Sequence, residues 1–142
     1  MICRVATRQD ITQMHQIRMA VKENMLTSTA ITQAHYIPEI EQTGKGWVVE
    51  VDDEILGFGI ANKQTRSIWA LFVDPNHEGK GFGKALLNQM VNWLWQEGVT
   101  TIQLGTDPNT RAEQLYLKAG WQCKGLQSDG ELLFELNHPK KI

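Results

Sequence analysis

Basic charge is scarce in this chain. Fourteen lysines and arginines stand against sixteen acidic residues, a formal net charge of -2. That balance speaks against a nucleic-acid footprint and against an acidic tail. Cysteine is scarcer: Cys3 and Cys123 are the two present, too few for a disulfide framework. Neither they nor the four histidines show metal-ligand spacing. Both cysteines fall in strand-like segments and read as small buried thiols. No apolar run approaches the length that crosses a bilayer, and the opening MICRVATRQD lacks the apolar stretch of a secretory signal. The expected setting is the cytoplasm, with no membrane, nucleic-acid or metal partner. At 142 residues, 42% hydrophobic and 21% charged, the chain reads as one globular domain over 1–142.

Periodicity and turn chemistry lay out the elements. Ile2 to Ala6 reads as a strand. Asp10, with Gln13 three residues on, reads as a capping box opening a helix. Ile11, Met14, Ile17 and Val21 share its inner face, and it is expected to end near Met25. Thr32 opens a short second helix that Pro38 interrupts or bends, and Thr43 to Gly46 reads as a loop. Trp47 to Val51 and Ile55 to Ala61 are strands around a tight Asp52-Asp53 hairpin. Gly57 and Gly59 mark a bulge or a close backbone approach. The run Ser67 to Val73, which contains IWALFV, suits a central strand buried on both faces. Leu86, Leu87, Met90, Val91 and Leu94 form a helix stripe over 83–97, closed by Gly98. Thr101 to Thr106 is a strand. Thr110 and Glu113 form a capping box for a helix ending at Ala119, with Gly120 as its stop. Trp121 to Gly125 and Leu132 to Leu136 are the last strands. The order is that of one mixed α/β layer structure.

Glycine is placed with purpose in PNHEGKGFGKALLNQM, residues 75–90, where Gly79, Gly81 and Gly83 alternate just ahead of a helix. A helix N-terminus offers unpaired N–H groups and partial positive charge. Glycine lets the backbone approach an anion at positive φ. The loop therefore reads as a phosphate cradle, with Lys80 and Lys84 beside it. Two nucleotide motifs are excluded. The dinucleotide fingerprint needs G-x-G-x-x-G and an acid about twenty residues on, and 100–103 is Thr-Thr-Ile-Gln. The P-loop needs Ser or Thr after its lysine, and Ala85 follows Lys84.

The segment ALFVDPNHEGKGFGKALL resembles the acyl-CoA binding motif of the GCN5-related N-acetyltransferase (GNAT) superfamily, and GKGWVVEVDDEILGFGIA resembles the hairpin before it. Gly81 and Gly83 match that motif. Glu78 departs from it, standing where the family has Gln or Arg. NTRAEQLYLKAGW is similar to the family's later helix through Asn109, Ala112, Leu115, Tyr116, Gly120 and Trp121. The resemblance implies a mixed, mostly antiparallel central sheet flanked by helices, with two central strands splayed apart. It implies acetyl-CoA as co-substrate. Amides and side chains of Glu78, Gly79, Lys80, Gly81, Phe82, Gly83 and Lys84 would surround the phosphates. Leu71, Phe72 and Val73 would pair with the pantetheine arm, the amide of Phe72 or Val73 facing the thioester oxygen. Asn109 would orient the arm beside Ala112, and Tyr116 would protonate the departing thiolate.

The implied reaction is direct acetyl transfer in a ternary complex to a primary amine of a small molecule or peptide, with Val21 to Pro38 shaping the acceptor side. The general base is open among Glu23, Glu50, His35 and His77. Trp47 and Trp69 are pocket walls or core. One of Trp93 and Trp95 is expected to lie partly exposed, which fits a homodimer. The alternative is an acyl-CoA-binding sensor or structural module without turnover.

Overall fold

Strand residues alternate their faces and helices offer one apolar stripe each, so the strands here gather a layer of helices on either side. The computed structural model describes residues 1–21 and 31–139. In chain order these form β1 (Ile2–Val5), α1 (Ile11–Val21), α2 (Tyr36–Glu41), β2 (Gly44–Val51), β3 (Glu54–Asn62), β4 (Ser67–Val73), α3 (Phe82–Gln96), β5 (Thr101–Thr106), α4 (Arg111–Lys118), β6 (Gln122–Leu126) and β7 (Leu132–Asn137). One seven-stranded sheet runs β1-β2-β3-β4-β5-β7-β6. Every neighbouring pair is antiparallel except β4 and β5. This is the mixed, mostly antiparallel sheet that the resemblance implies. Met14, Ile17, Tyr36, Ile40, Phe58 and Ile60 pack α1 and α2 on one face. Leu86, Leu87, Met90 and Leu94 of α3, with Trp47, Ile102 and Tyr116, fill the other. Among the described residues no helix is long and apolar enough to cross a membrane.

The Asp52-Asp53 hairpin forms as expected, with φ of 52° and 65° at the two residues, the geometry of a type I′ turn. Both expectations for the β3 glycines hold. Val49 pairs with Gly57 and Glu50 with Ile55, so Leu56 is an extra residue on β3. A Cβ on Gly59 would lie 2.7 Å from Met90 Cε, so glycine lets α3 sit close on the sheet.

Several expectations are corrected. β2 begins at Gly44, not Trp47, and Thr43 to Gly46 is no loop: Gly44, Lys45 and Gly46 pair with Asn62, Ala61 and Ile60. A Cβ on Gly44 would stand 2.0 Å from Ala61 O, so glycine there admits the strand. Pro38 does not interrupt a helix. Thr32 starts a 3-10 turn, Gln33–His35, that leads into α2, and Pro38 is the third residue of α2, where its missing N–H has no intrahelical partner to lose. Cys123 is exposed and Cys3 half-buried, because β6 and β1 are the sheet's edges. Of the α1 face, Ile11, Met14 and Ile17 are buried but Val21 is 41% exposed. The expected helix end near Met25 lies outside the described residues.

Thr7, rather than Asp10, caps the first helical turn. The Asp10 carboxylate accepts from the Thr7 N–H at 2.8 Å and from two Arg4 nitrogens at 2.9 and 3.0 Å. Gln13 instead accepts from the Ile55 N–H at 3.4 Å. Burial alone would raise the Asp10 carboxyl, but the Arg4 guanidinium and the Thr7 donors outweigh it and hold it below its ordinary value. Asp10→Asn is expected to destabilise the fold by about 2 kcal/mol at pH 7. That is less than a fully buried pair would lose, because the Arg4 side chain keeps 37% exposure. The folded carboxyl is depressed, so the wild-type advantage is complete above the unfolded carboxyl value of about 3.9 and shrinks as pH falls below it. Urea unfolding of both proteins at pH 7 and pH 3 checks the size and the sign.

Candidate cofactor cleft

A parallel pair of strands needs a continuous ladder to stay closed, and β4 and β5 share one register pair, Ser67 with Gln103. Beyond it the strands part. β4 is consequently buried less than its apolar sequence implies: Ile68 and Ala70 are buried, while Leu71, Phe72 and Val73 are half-buried. The expectation of burial on both faces is corrected here, because β5 leaves one side of β4 open. The gap is a cleft of about 1420 Å³.

The ladder on the other side of β4 decides which amides face this gap. The Asp74 N–H donates to Leu56 O at 2.8 Å. Antiparallel strands alternate the side to which their N–H groups point. Phe72 therefore also turns its N–H toward β3, and Leu71 and Val73 turn theirs toward the cleft. Of the two amides expected to face a thioester oxygen, the alternation selects Val73. A bulge sits upstream, since Ile60 pairs with Ala70 and Ala61 with Ile68, leaving Trp69 as the extra residue. It puts Trp69, Ala70 and Phe72 on the α1 and α2 side, while Ile68, Leu71 and Val73 face α3.

The glycine loop closes one end of the cleft. Asp74 caps a 3-10 turn, Pro75–His77, by accepting from the Asn76 N–H at 2.9 Å. Gly79 and Gly81 then take φ of 81° and 86°, and Gly81 is the N-cap of α3 with no side chain capping the helix. Nothing lies within 4 Å of a Cβ on Gly81, so positive φ, and not crowding, demands glycine there. Gly83 is different: its Cβ would touch Leu115 Cδ2 at 3.4 Å, so it lets α4 approach α3. Buried Phe82 anchors the turn. The cleft wall includes Glu78, Gly79, Gly81, Phe82, Gly83 and Lys84; Lys80 is exposed and outside that wall. The open cradle of N–H groups at the head of a fifteen-residue helix fits a pyrophosphate. The carboxylate of Glu78 does not stand alone in it. Arg111 Nε lies 3.4 Å from Glu78 Oε1, and Arg111 Nη1 lies 3.7 Å from where a Gly79 Cβ would be. A guanidinium thus stands over the loop. Sequence reading missed it, although Arg111 sits inside the quoted α4 motif.

α4 supplies the facing wall. Thr110 accepts from the Glu113 N–H at 3.2 Å. Glu113 returns not to Thr110 but to Asn109, accepting its N–H at 2.6 Å. Asn109 has φ of 61°, a conformation asparagine tolerates better than most residues. Asn109, Ala112, Leu115 and Tyr116 all line the cleft. Tyr116 is 4% exposed and packs on Trp121 and Phe134 at ring distances of 5.6 and 5.8 Å. Burial pushes its phenol above the ordinary value, so it carries its proton throughout the neutral range.

The acceptor-side expectations fare unevenly. His77 lines the cleft, its Nδ1 3.7 Å from Asp74 Oδ2. Glu50 is paired to Arg4 at 2.7 Å, His35 Nδ1 accepts from the Thr32 N–H at 2.9 Å, and neither lines the cleft. Glu23 lies outside the described residues, as does half of the Val21 to Pro38 segment. Trp69 is a cleft wall, whereas Trp47 belongs to the core. Trp93 and Trp95 are both half-buried, against Trp47 and His138 at ring distances of 5.9 and 4.8 Å.

Comparison with known proteins places this geometry. Residues 9–121 match the family model described as the acetyltransferase (GNAT) family. The L-2,4-diaminobutyric acid acetyltransferase of Nocardia farcinica is 25% identical over 125 residues, 84% of this chain and 65% of that protein. The chain thus spans less than two thirds of the length of the curated relatives it matches. Ribosomal-protein-alanine N-acetyltransferase from Brucella melitensis superposes with a TM-score of 0.80 at 19% identity, covering 97% of this chain and 100% of that one. The PaiA N-acetyltransferase from Thermoplasma acidophilum, solved in complex with coenzyme A, gives 0.74 at 15% identity, covering 97% and 100%.

Proposed function

The chain belongs to the acetyltransferase (GNAT) family, and on that premise we propose that it transfers an acetyl group from acetyl-CoA to a primary amine of a small molecule or peptide. The observation that carries the reading is the splay of β4 from β5, which opens between the glycine loop and the buried, protonated Tyr116. The Nocardia relative is named for a diamino acid and the Brucella protein for a ribosomal-protein alanine, so both acceptor classes have support.

When bound, acetyl-CoA supplies the acetyl group as a thioester. Amides of Gly79 to Gly83 and the first turn of α3 would hold its phosphates, with Lys84 and Arg111 adding positive charge. Leu71 and Val73 would pair with its arm, and the Val73 N–H would donate to the carbonyl oxygen as negative charge grows there. Asn109 and Ala112 would bound the arm from α4. The amine must arrive neutral. As its nitrogen forms the C–N bond, the C–S bond breaks, the sulfur keeps the electron pair and takes the Tyr116 proton. The amine nitrogen sheds one proton, which restores Tyr116 by way of solvent, so the balance closes. His77 is the one base candidate from the sequence that the described cleft wall contains.

Thiol release from acetyl-CoA, monitored across a panel of primary amines, tests the reading. Amine-dependent release is expected. Saturable cofactor binding with no release for any amine would instead support the sensor. Charge at the loop gives a second check. Glu78→Gln is expected to tighten acetyl-CoA about threefold and Arg111→Ala to loosen it by about threefold or more, both effects fading in high salt. Equal affinities at low salt would remove Arg111 from the site. The proposed setting is cytoplasmic. A homodimer is also proposed, although Trp93 and Trp95 pack on Trp47 and His138 within the chain.

A further inference from the structure

Successive side chains of β5 point to opposite faces. Ile102 and Leu104 pack toward α3, so Gln103 and Gly105 turn to the α1 and α2 side. A Cβ on Gly105 would lie 2.6 Å from Glu131 Oε1 and 3.6 Å from Gln127 Oε1. Glycine there lets both side chains fold over the strand from the turn between β6 and β7. Hydrogen bonds close that turn. The Gln127 N–H donates to Glu131 O at 2.7 Å, the Gly130 N–H to Gln127 O at 3.0 Å and the Glu131 N–H to Asp129 Oδ1 at 2.9 Å. Gln103, Gly105, Gln127 and Glu131 all line the cleft, and Glu131 is half-buried.

The location matters as much as the charge. Ser67 with Gln103 is the register pair beyond which β4 and β5 part, and Gly105 is two residues past it. Glu131 therefore sets a carboxylate near the closed end of the cleft. The glycine loop follows Val73, at the open end. A cofactor arm laid from the loop along β4 runs toward the closed end. The other carboxylates of the described wall belong to the open end. Glu78 stands beside Arg111 in the glycine loop. Asp107 lies past the end of β5, where its carbonyl accepts from the Thr110 hydroxyl at 2.9 Å. Tyr116 packs on the α3 side, so acid and carboxylate stand on opposite faces of the sheet with the splay between them. We infer that Glu131 is the general base: its carboxylate accepts a hydrogen bond from the amine that enters from the α1 and α2 side. As the C–N bond forms, it takes the one proton that the nitrogen sheds and passes it to solvent. The C–S electron pair still goes to sulfur with the Tyr116 proton, so the balance is unaltered. This rests on the acetyl-transfer reading above and names the base which that reading leaves open.

The test uses an amine that wild type accepts and two readouts. One is thiol release. The other is calorimetric affinity for that amine with free CoA bound, where no turnover occurs. Glu131→Gln keeps the shape and a hydrogen-bond acceptor but not the base. It is expected to lose about a hundredfold in kcat while amine affinity stays within about threefold. Glu131→Ala should lose as much, and added formate should restore about tenfold or more, because a free carboxylate can take the vacated place. Gly105→Ala keeps every titratable group and displaces the Glu131 carboxylate, so kcat should fall by about tenfold or more with acetyl-CoA affinity unaltered. A kcat within about threefold of wild type in Glu131→Gln, no response of Glu131→Ala to formate, or an amine affinity that falls in step with kcat would each overturn the assignment and leave acetyl transfer standing. A wild-type kcat in Gly105→Ala would do the same, and that variant decides the matter where a Glu131 variant fails to fold. No release by wild type with any amine, with acetyl-CoA bound, would overturn the acetyl-transfer reading itself and the base with it.

Discussion

Tyr116→Phe lowers kcat by about a hundredfold or more while leaving acetyl-CoA affinity within about threefold, as expected when a general acid is removed and packing is kept. The phenylalanine ring can keep the contacts with Trp121 and Phe134, whose rings stand 5.6 and 5.8 Å from Tyr116. What disappears is a hydroxyl that burial holds protonated. The unperturbed phenol titrates at about 10 and burial moves this one higher. Tyr116 therefore imposes no loss of rate on the alkaline side below about pH 10, and the rising limb of kcat/KM belongs to deprotonation of the amine or its base. Steady-state kinetics over pH, with binding measured separately, check both statements. An unchanged kcat with every accepted amine would remove Tyr116 as the acid.

Gly81→Val is expected to weaken acetyl-CoA by about tenfold or more, because a β-branched residue at φ of 86° is strained by about 1–3 kcal/mol. The loop has an outlet for that strain. Gly81 is exposed and nothing lies within 4 Å of its Cβ, so the turn can relax out of the left-handed region without disturbing the core. The thermal midpoint should move by a few degrees at most, while the N–H groups that converge at the head of α3 are redirected. Calorimetric affinity and a thermal melt on the same sample separate the two effects. Wild-type affinity in a variant that folds normally would mean that the loop does not hold the phosphates.

The parts of the site that sequence shows well are those written in consecutive residues. Gly79 and Gly81 before an apolar stripe specify a cradle and a helix start, and Thr110 with Gly120 brackets α4. The splay is only partly local. IWALFV identifies a central strand but not its partial exposure, because the ladder with β5 has one register pair and leaves Leu71, Phe72 and Val73 half-buried. Arg18 carries no signal in sequence at all. It lines the cleft from the last turn of α1, over Trp69 and Phe72 of β4. The Glu78 departure looked like a stray anion until Arg111, thirty-three residues on, appeared beside it. Asp10 is hidden for a similar reason: its partners Arg4 and Thr7 precede it, and a capping box counted forward to Gln13 does not include them.

The account turns on the glycine loop and the head of α3 holding the phosphates of acetyl-CoA. Calorimetric titration of the protein with acetyl-CoA, free CoA and acetate tests that most directly. Saturable one-to-one binding of acetyl-CoA and CoA, with acetate silent, is predicted. Absence of binding at millimolar cofactor would contradict it.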